Sequence, residues 1–257
     1  MRIALVGCGK MGSALLQGWL NNDSINKIFI LDPNANNISS PKVTIFTDVQ
    51  KFNDATQEVH VVVLAVKPQI FDEVLLSLKI APDALVVSIA AGKKLESFGK
   101  NNPAARVMPN TPAAIGQGMN VAMLNKSADN ADKTAVAILL KDSGTLEWVE
   151  DENLFNAVTA LSGSGPAYVF LLIEIMTQAG IKQGLAPDFA AKLARQTVIG
   201  SAALAAHDDS EAATLRKNVT SPGGTTEAAL KILMNGEMQK LFDDAIAAAT
   251  KRGKELS

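Results

Sequence analysis

The chain has 257 residues, 47% of them hydrophobic and 19% charged, with a formal net charge of −2. That is enough for one large domain or two ordinary ones, with the balance of a globular, soluble protein. Nothing in it is basic enough to suit nucleic acid, and aromatics, at 5%, are too scarce for a stacking platform.

The lone cysteine, Cys8, excludes an internal disulfide and a cysteine-rich metal site. Within a glycine turn it reads as a small residue near a phosphate rather than as a nucleophile. Two histidines, His60 in an apolar, strand-like run and His207 near a helix end, are too few for paired-histidine metal chemistry, and no metal is expected. The first apolar run, ending at Val6, is too short for a signal sequence. The stretch Ala167 to Met176 is about half a membrane span and contains Glu174, so a cytoplasmic protein is expected.

In chain order, residues 2–6 form a short apolar strand, followed by a glycine turn and a helix in which Ala14, Leu15, Gly18 and Trp19 share a face. A second strand, Lys27 to Leu31, stops at Asp32-Pro33, because the residue before proline is pushed out of the helical region. A third, Val43 to Phe46, precedes Thr47, expected as a helix cap. Val59 to Val66 is β-branched without alternation, the mark of a strand covered on both faces. A helix after Pro68, a strand at Ala84 to Ile89, a short helix near Leu95 and a strand at Arg106 to Met108 repeat the pattern. Segments around 119–124 and 145–149, bracketing a helix from Asp129, extend the sheet. Alternation of this kind implies right-handed βαβ units in a doubly wound, mostly parallel sheet of the Rossmann type.

From about Asn153 strands vanish and alanine becomes frequent. Helices are expected over 164–183, 187–206, 210–217, 224–234 and 237–252, with Pro187 at a first-turn position. Their apolar faces exceed what one small domain covers, so a second subunit is expected to bury the surplus. The division is a dinucleotide-binding domain over 1–152 and an all-α substrate-binding and dimerisation domain over 153–257.

Gly7-Cys8-Gly9-Lys10-Met11-Gly12 follows a strand and opens a helix, as the dinucleotide fingerprint requires. Gly7 permits the tight turn, Gly9 lets backbone approach a pyrophosphate, and Gly12 allows close helix–strand packing. Asp32 stands where an acidic residue holds the ribose hydroxyls of NAD and would repel the extra phosphate of NADP. It is equally placed to cap Asp-Pro, and Asn34 and Asn36 serve either cofactor, so the choice stays open with a lean to NAD or dual use. Lys67-Pro68, Ala91-Gly92 and Met108-Pro109-Asn110-Thr111-Pro112 fall at the carboxyl edge of the sheet, where this architecture binds ligands. In the helical half, Ser162-Gly163-Ser164-Gly165-Pro166 opens the long apolar helix. Thr220 to Thr226 opens a later one, either as a plain capping motif or as a site for a small carboxylate.

In combination, Gly7 to Gly12, Ala65-Val66-Lys67-Pro68, Ala90-Ala91-Gly92, Met108 to Pro112, Leu161 to Tyr168 and Val219 to Thr226 resemble the pyrroline-5-carboxylate reductase family, nearly end to end. The resemblance implies reduction of the cyclic imine of 1-pyrroline-5-carboxylate to L-proline by NADPH or NADH, in a homodimer from which rings are built. It implies a cofactor site at Gly7, Cys8, Gly9, Lys10, Met11, Gly12, Asp32, Asn34, Ala65, Val66, Lys67, Pro68, Ala91 and Gly92. It further implies a substrate site at Val219, Ser221, Gly223, Gly224, Thr225 and Asn110, with Thr226 beside the ring nitrogen as the catalytic residue. The chain departs from the family at Leu31-Asp32-Pro33, where NADP-preferring members carry small hydroxyl or basic residues.

A protonated imine already carries the charge that draws hydride, so no buried acid need supply a proton to oxygen. The site has only to align the two reactants and neutralise the carboxylate. A 3-hydroxyacid dehydrogenase would want a lysine on the helix after Pro166, and none occurs before Lys182. A sensor binding the dinucleotide without turnover would have no need of the second anion loop.

Overall fold

A computed structural model describes residues 1–35 and 38–256; Asn36, named above, lies outside them. Eight strands form one sheet: β1 (Arg2–Val6), β2 (Lys27–Leu31), β3 (Val43–Phe46), β4 (Val61–Leu64), β5 (Leu85–Ser88), β6 (Ala104–Met108), β7 (Gly118–Leu124) and β8 (Gly144–Trp148). Their order is β3-β2-β1-β4-β5-β6-β7-β8, parallel throughout except between β6 and β7. The order reverses between β1 and β4, which creates the crevice at the carboxyl edge where such sheets bind ligands.

The pleat sorts the apolar residues onto two faces. Ile3, Leu5, Ile28, Ile30, Val61, Val63, Leu85 and Val87 join one core, and Ala4, Val6, Phe29, Val62, Leu64 and Val86 the other. Helices cover both. On the first face lie α1 (Lys10–Leu20) and α5 (Asn130–Leu140), joined where the Trp19 indole N–H donates to the Leu139 carbonyl at 2.7 Å. On the second, α2 (Val49–Ala55), α3 (Phe71–Ser77) and α4 (Leu95–Phe98) contribute Phe52, Phe71 and Phe98. The β-branched run expected from Val59 to Val66 is strand only over its middle; His60 is exposed, its Nδ1 accepting the Arg2 N–H. The cap of α2 is Asp48 rather than Thr47, because the Asp48 carboxylate reaches the Lys51 N–H at 2.8 Å. Asp129 caps α5 in a reciprocal box with Asp132.

The first glycine-rich segment of the helical half opens a helix at Gly165, as expected, but helical turns also precede it. One helical run spans 152–182: a 3-10 turn, α6 (Phe155–Val158), a π-turn at Thr159–Gly163 and α7 (Gly165–Lys182). Its start is tied to the sheet, since Glu152 Oε1 accepts from the Leu95 N–H at 2.7 Å and from Arg106 Nη1 at 2.9 Å. Arg106 is buried and lies over the Phe155 ring, 4.4 Å from its centroid. The π-turn has a covalent cause. Pro166 lacks the N–H that would reach the Ser162 carbonyl, and Ser164 bonds back five residues to Thr159 at 2.8 Å. The Asn110 side-chain amide takes the freed Ser162 carbonyl at 3.0 Å, while its oxygen accepts the Met119 N–H at 2.9 Å.

The chain divides into two compact units, 1–164 with 248–257, and 165–247. The second holds α7, α8 (Pro187–His207), α9 (Ala212–Asn218), α10 (Thr225–Leu233) and most of α11 (Glu237–Glu255). Gly180 lets α7 and α8 close up, since a Cβ there would stand 3.3 Å from that of Ala190. Among the described residues only Ala190 and Ala194 of this unit are buried. Val169, Phe170, Leu171, Ile175, Phe189 and Ile199 face outward, a larger apolar surface than a monomer keeps.

Asn110→Ala should cost about 2–3 kcal/mol in chemical unfolding, because it strands the Met119 N–H and the Ser162 carbonyl. Asn110→Asp should cost as much, since a carboxylate cannot donate to Ser162. A midpoint unchanged in either variant would show that the π-turn does not depend on Asn110.

Candidate active site

The glycine turn between β1 and α1 behaves as three separate requirements. Gly7 has φ +90°, and a Cβ there would stand 2.8 Å from the Ala65 carbonyl oxygen and 2.9 Å from Val66 Cγ1. A Cβ on Gly12 would collide with the Gly7 carbonyl oxygen. Gly9 is the opposite case, with nothing within 4 Å of its missing Cβ. The cradle therefore has its close walls at Gly7 and Gly12 and its open side at Gly9, which suits a dinucleotide pyrophosphate approaching the backbone. The first helical bond of α1 runs from the Ser13 N–H to the Gly9 carbonyl at 2.8 Å. The N–H groups of Gly9, Lys10, Met11 and Gly12 precede it, and the dipole of α1 adds positive potential there.

The first two N–H groups of the turn are already engaged. Gly7 donates to the Leu31 carbonyl at 2.9 Å, and Cys8 donates to Asp32 Oδ2 at 2.6 Å. The other Asp32 oxygen accepts the Asn34 N–H at 2.7 Å. The Asn34 side chain is exposed beyond it.

The remaining edge residues sit at strand ends. The Ala65 N–H donates to the Val6 carbonyl, Val66 packs toward Gly7, and Lys67 is exposed ahead of a 3-10 turn begun by Pro68. After β5, Ala91 leads into Gly92, whose φ of +78° turns the chain where a side chain would be strained. β6 ends before Pro109 and Asn110, so Asn110 lies at the same edge but spends its amide on the π-turn.

The second glycine turn belongs to the unit 165–247. Gly223 has φ +70°, and Gly224, at the N-cap position of α10, donates its N–H to the Ser221 carbonyl at 3.0 Å. The Gly223 N–H donates to Glu227 Oε2 at 2.5 Å, and Glu227 Oε1 lies 3.6 Å from Lys231 Nζ. Both glycine amides expected to hold an anion are thus partnered within the loop. The first helical bond of α10 runs from Ala228 to the Gly224 carbonyl, so the N–H groups of Thr225, Thr226 and Glu227 are the ones left ahead of it. The Ser221 hydroxyl does not cap the helix. Val219 is 61% exposed, and the Thr226 side chain is half-buried. Sequence reasoning missed Glu227, although an acid three places after the N-cap is a capping-box signal. It also missed the Arg106–Glu152 pair, whose partners are 46 residues apart and carry no local signal.

Comparison with known proteins matches both halves. A model described as pyrroline-5-carboxylate reductase dimerisation covers residues 152–256, and one described as NADP oxidoreductase coenzyme F420-dependent covers 2–92. The chain is 40% identical to a pyrroline-5-carboxylate reductase of Pseudomonas aeruginosa, over 100% of this chain and 97% of that protein. It is 36% identical to one of Pisum sativum, over 99% and 96%. The solved reductase of Coxiella burnetii superposes with a TM-score of 0.86 at 33% identity, covering 100% of this chain and 98% of that one. The Plasmodium falciparum enzyme, solved with NADP bound, does so with 0.83 at 30% identity, covering 100% and 98%. The sheet, the two glycine turns and these end-to-end matches agree, and the chain belongs to the pyrroline-5-carboxylate reductase family.

Proposed function

We infer that the protein reduces 1-pyrroline-5-carboxylate to L-proline with NADPH or NADH, a step of proline biosynthesis. The observation that carries this reading is the pair of helix starts, at α1 and α10, with N–H groups ahead of their first helical bonds, in a chain that matches reductases along its whole length. Residues 1–152 serve as the dinucleotide-binding domain and 153–257 as the substrate-binding and dimerisation domain, the latter supported by the family match over 152–256.

When bound, the dihydronicotinamide supplies the hydride. The amides of Gly9 to Gly12 hold the pyrophosphate, and Asn34, Ala65 to Pro68 and Ala91-Gly92 line the cofactor along the sheet edge. The amides of Thr225 and Thr226 hold the substrate carboxylate at the positive end of α10, flanked by Val219, Ser221, Gly223 and Gly224. The Thr226 hydroxyl stands at the ring nitrogen, where it holds the proton of the iminium and then of the amine. Asn110, expected at the substrate, holds the π-turn through Ser162 and Met119. A 3-hydroxyacid dehydrogenase is disfavoured because the helix from Ala167 to Gln178 carries no lysine.

The working unit is a homo-oligomer, because α7 and α8 expose apolar side chains that one chain does not cover. Among the described residues the helical run 152–182 is also long and apolar enough to cross a membrane, by length and composition. Its length exceeds what the ten residues from Ala167 to Met176 suggested. We assign its apolar face to a partner subunit, with rings of dimers as the higher assembly, in the cytoplasm and without nucleic acid.

With pyrroline-5-carboxylate the purified protein should oxidise NADPH or NADH, while a 3-hydroxyacid should reduce neither oxidised cofactor. Turnover only with the hydroxyacid would overturn the assignment. Thr226→Ala should lower kcat about a hundredfold with cofactor affinity intact; equal loss of both would remove Thr226 from the ring nitrogen. Helical circular dichroism should fall on dilution together with dissociation of the oligomer. A helical monomer, fully folded and stable in dilute buffer, would contradict the partner-covered face.

A further inference from the structure

An acidic residue that reads a ribose presents its carboxylate to the ligand, but both oxygens of Asp32 hold backbone of the protein itself. Oδ2 accepts the Cys8 N–H at 2.6 Å and Oδ1 the Asn34 N–H at 2.7 Å. Asp32 is in turn fixed at the end of β2, its own N–H donating to the Phe46 carbonyl at 3.1 Å. Cys8 is pinned from the other side as well, because the Ser13 hydroxyl donates to its carbonyl at 2.8 Å. The peptide entering Gly9 is thus clamped between a strand end and the first turn of α1. Of the two bonds on Cys8, the one to Asp32 is charge-assisted, the strong kind, and the one from Ser13 is neutral. The two Asp32 bonds, to Cys8 and Asn34, also draw on the negative charge of a carboxylate that would otherwise repel a pyrophosphate.

We propose that Asp32 is a positioning residue for the glycine turn, holding the Cys8 peptide so that the Gly9 to Gly12 amides converge on a pyrophosphate. The proposal rests on the cofactor reading above and inverts the role that sequence position assigns to Asp32. The pyrophosphate is common to NADH and NADPH, whereas the 2′ position is what differs. A brace on the turn therefore acts on both cofactors equally, and a reader of the ribose acts on them in opposite directions. The Asn34 turn supports the distinction, since it commits the oxygen nearer the loop after β2 to local backbone.

The test uses Asp32→Asn, which keeps the shape but sets an amide N–H against a backbone N–H. It also uses Asp32→Ser, whose hydroxyl is too short to reach Cys8 but keeps a local turn bond to Asn34. In the ligand-free proteins, amide exchange at Cys8, read by NMR, should speed up at least tenfold in both variants. Equilibrium titrations with NADH and with NADPH should each weaken about tenfold, the value of one lost charged hydrogen bond. The ratio of the two dissociation constants should stay within threefold of wild type, and the KM for pyrroline-5-carboxylate should move less than twofold. A tenfold shift of that ratio toward NADPH would overturn the proposal in favour of ribose reading. Wild-type affinity with unchanged Cys8 exchange would overturn it as well. Should wild-type protein bind neither dinucleotide, the cofactor reading itself fails, and this proposal fails with it.

Discussion

The first N–H groups of an α-helix have no carbonyl to bond, and this protein's handling of anions depends on where those groups point. α1 and α10 each follow a glycine held at positive φ, Gly7 at +90° and Gly223 at +70°. In each turn a protein carboxylate takes one amide, Asp32 at Cys8 and Glu227 at Gly223. Those bonds use up the amides that precede the helix and leave the amides inside its first turn. Only the latter lie along the axis of the dipole, where an anion gains most. The two turns are thus built alike, which suits the pyrophosphate and the small carboxylate we propose for them.

The other constraint is burial. The sheet domain covers itself, with Ile3, Leu5, Ile28 and Val61 on one face and Phe52, Phe71 and Phe98 packed on the other. The unit 165–247 does not, because its apolar side chains are spread around α7 and α8 instead of along one stripe. Its native state therefore includes another chain, in keeping with the dimerisation family it matches. The π-turn at Thr159–Gly163 stands just ahead of this unit, with Asn110 closing the gap that Pro166 opens in the ladder.

What was legible in the sequence is what depends on neighbours in the chain. The β-branched runs announced buried parallel strands, since Val61 to Leu64 have no polar partner position to alternate with. The spacing of the three glycines announced a tight turn and a close packing, while the walls that Gly7 meets, Ala65 and Val66, come from a distant strand end. Missed features depend on distant partners. Nothing near Asp32 shows that Cys8, 24 residues earlier, will be its donor. Arg106 and Glu152 meet only once β6 and the start of the helical run are both in place. The helix start at Gly165 was legible from Pro166, but the helical turns ahead of it were not, because a side chain from another loop, Asn110, holds the last of them. The Asp48 cap, one residue beyond Thr47, was within reach of the same local reasoning.

The central claim concerns which amides of the second turn meet the substrate carboxylate. It is tested most directly by a crystal structure of the enzyme with L-proline and oxidised cofactor. The expected result is a proline carboxylate within hydrogen-bonding distance of the Thr225 and Thr226 N–H groups, with the Gly223 N–H still on Glu227. A carboxylate seated on the Gly223 N–H with Glu227 displaced, or bound away from the start of α10, would contradict the account.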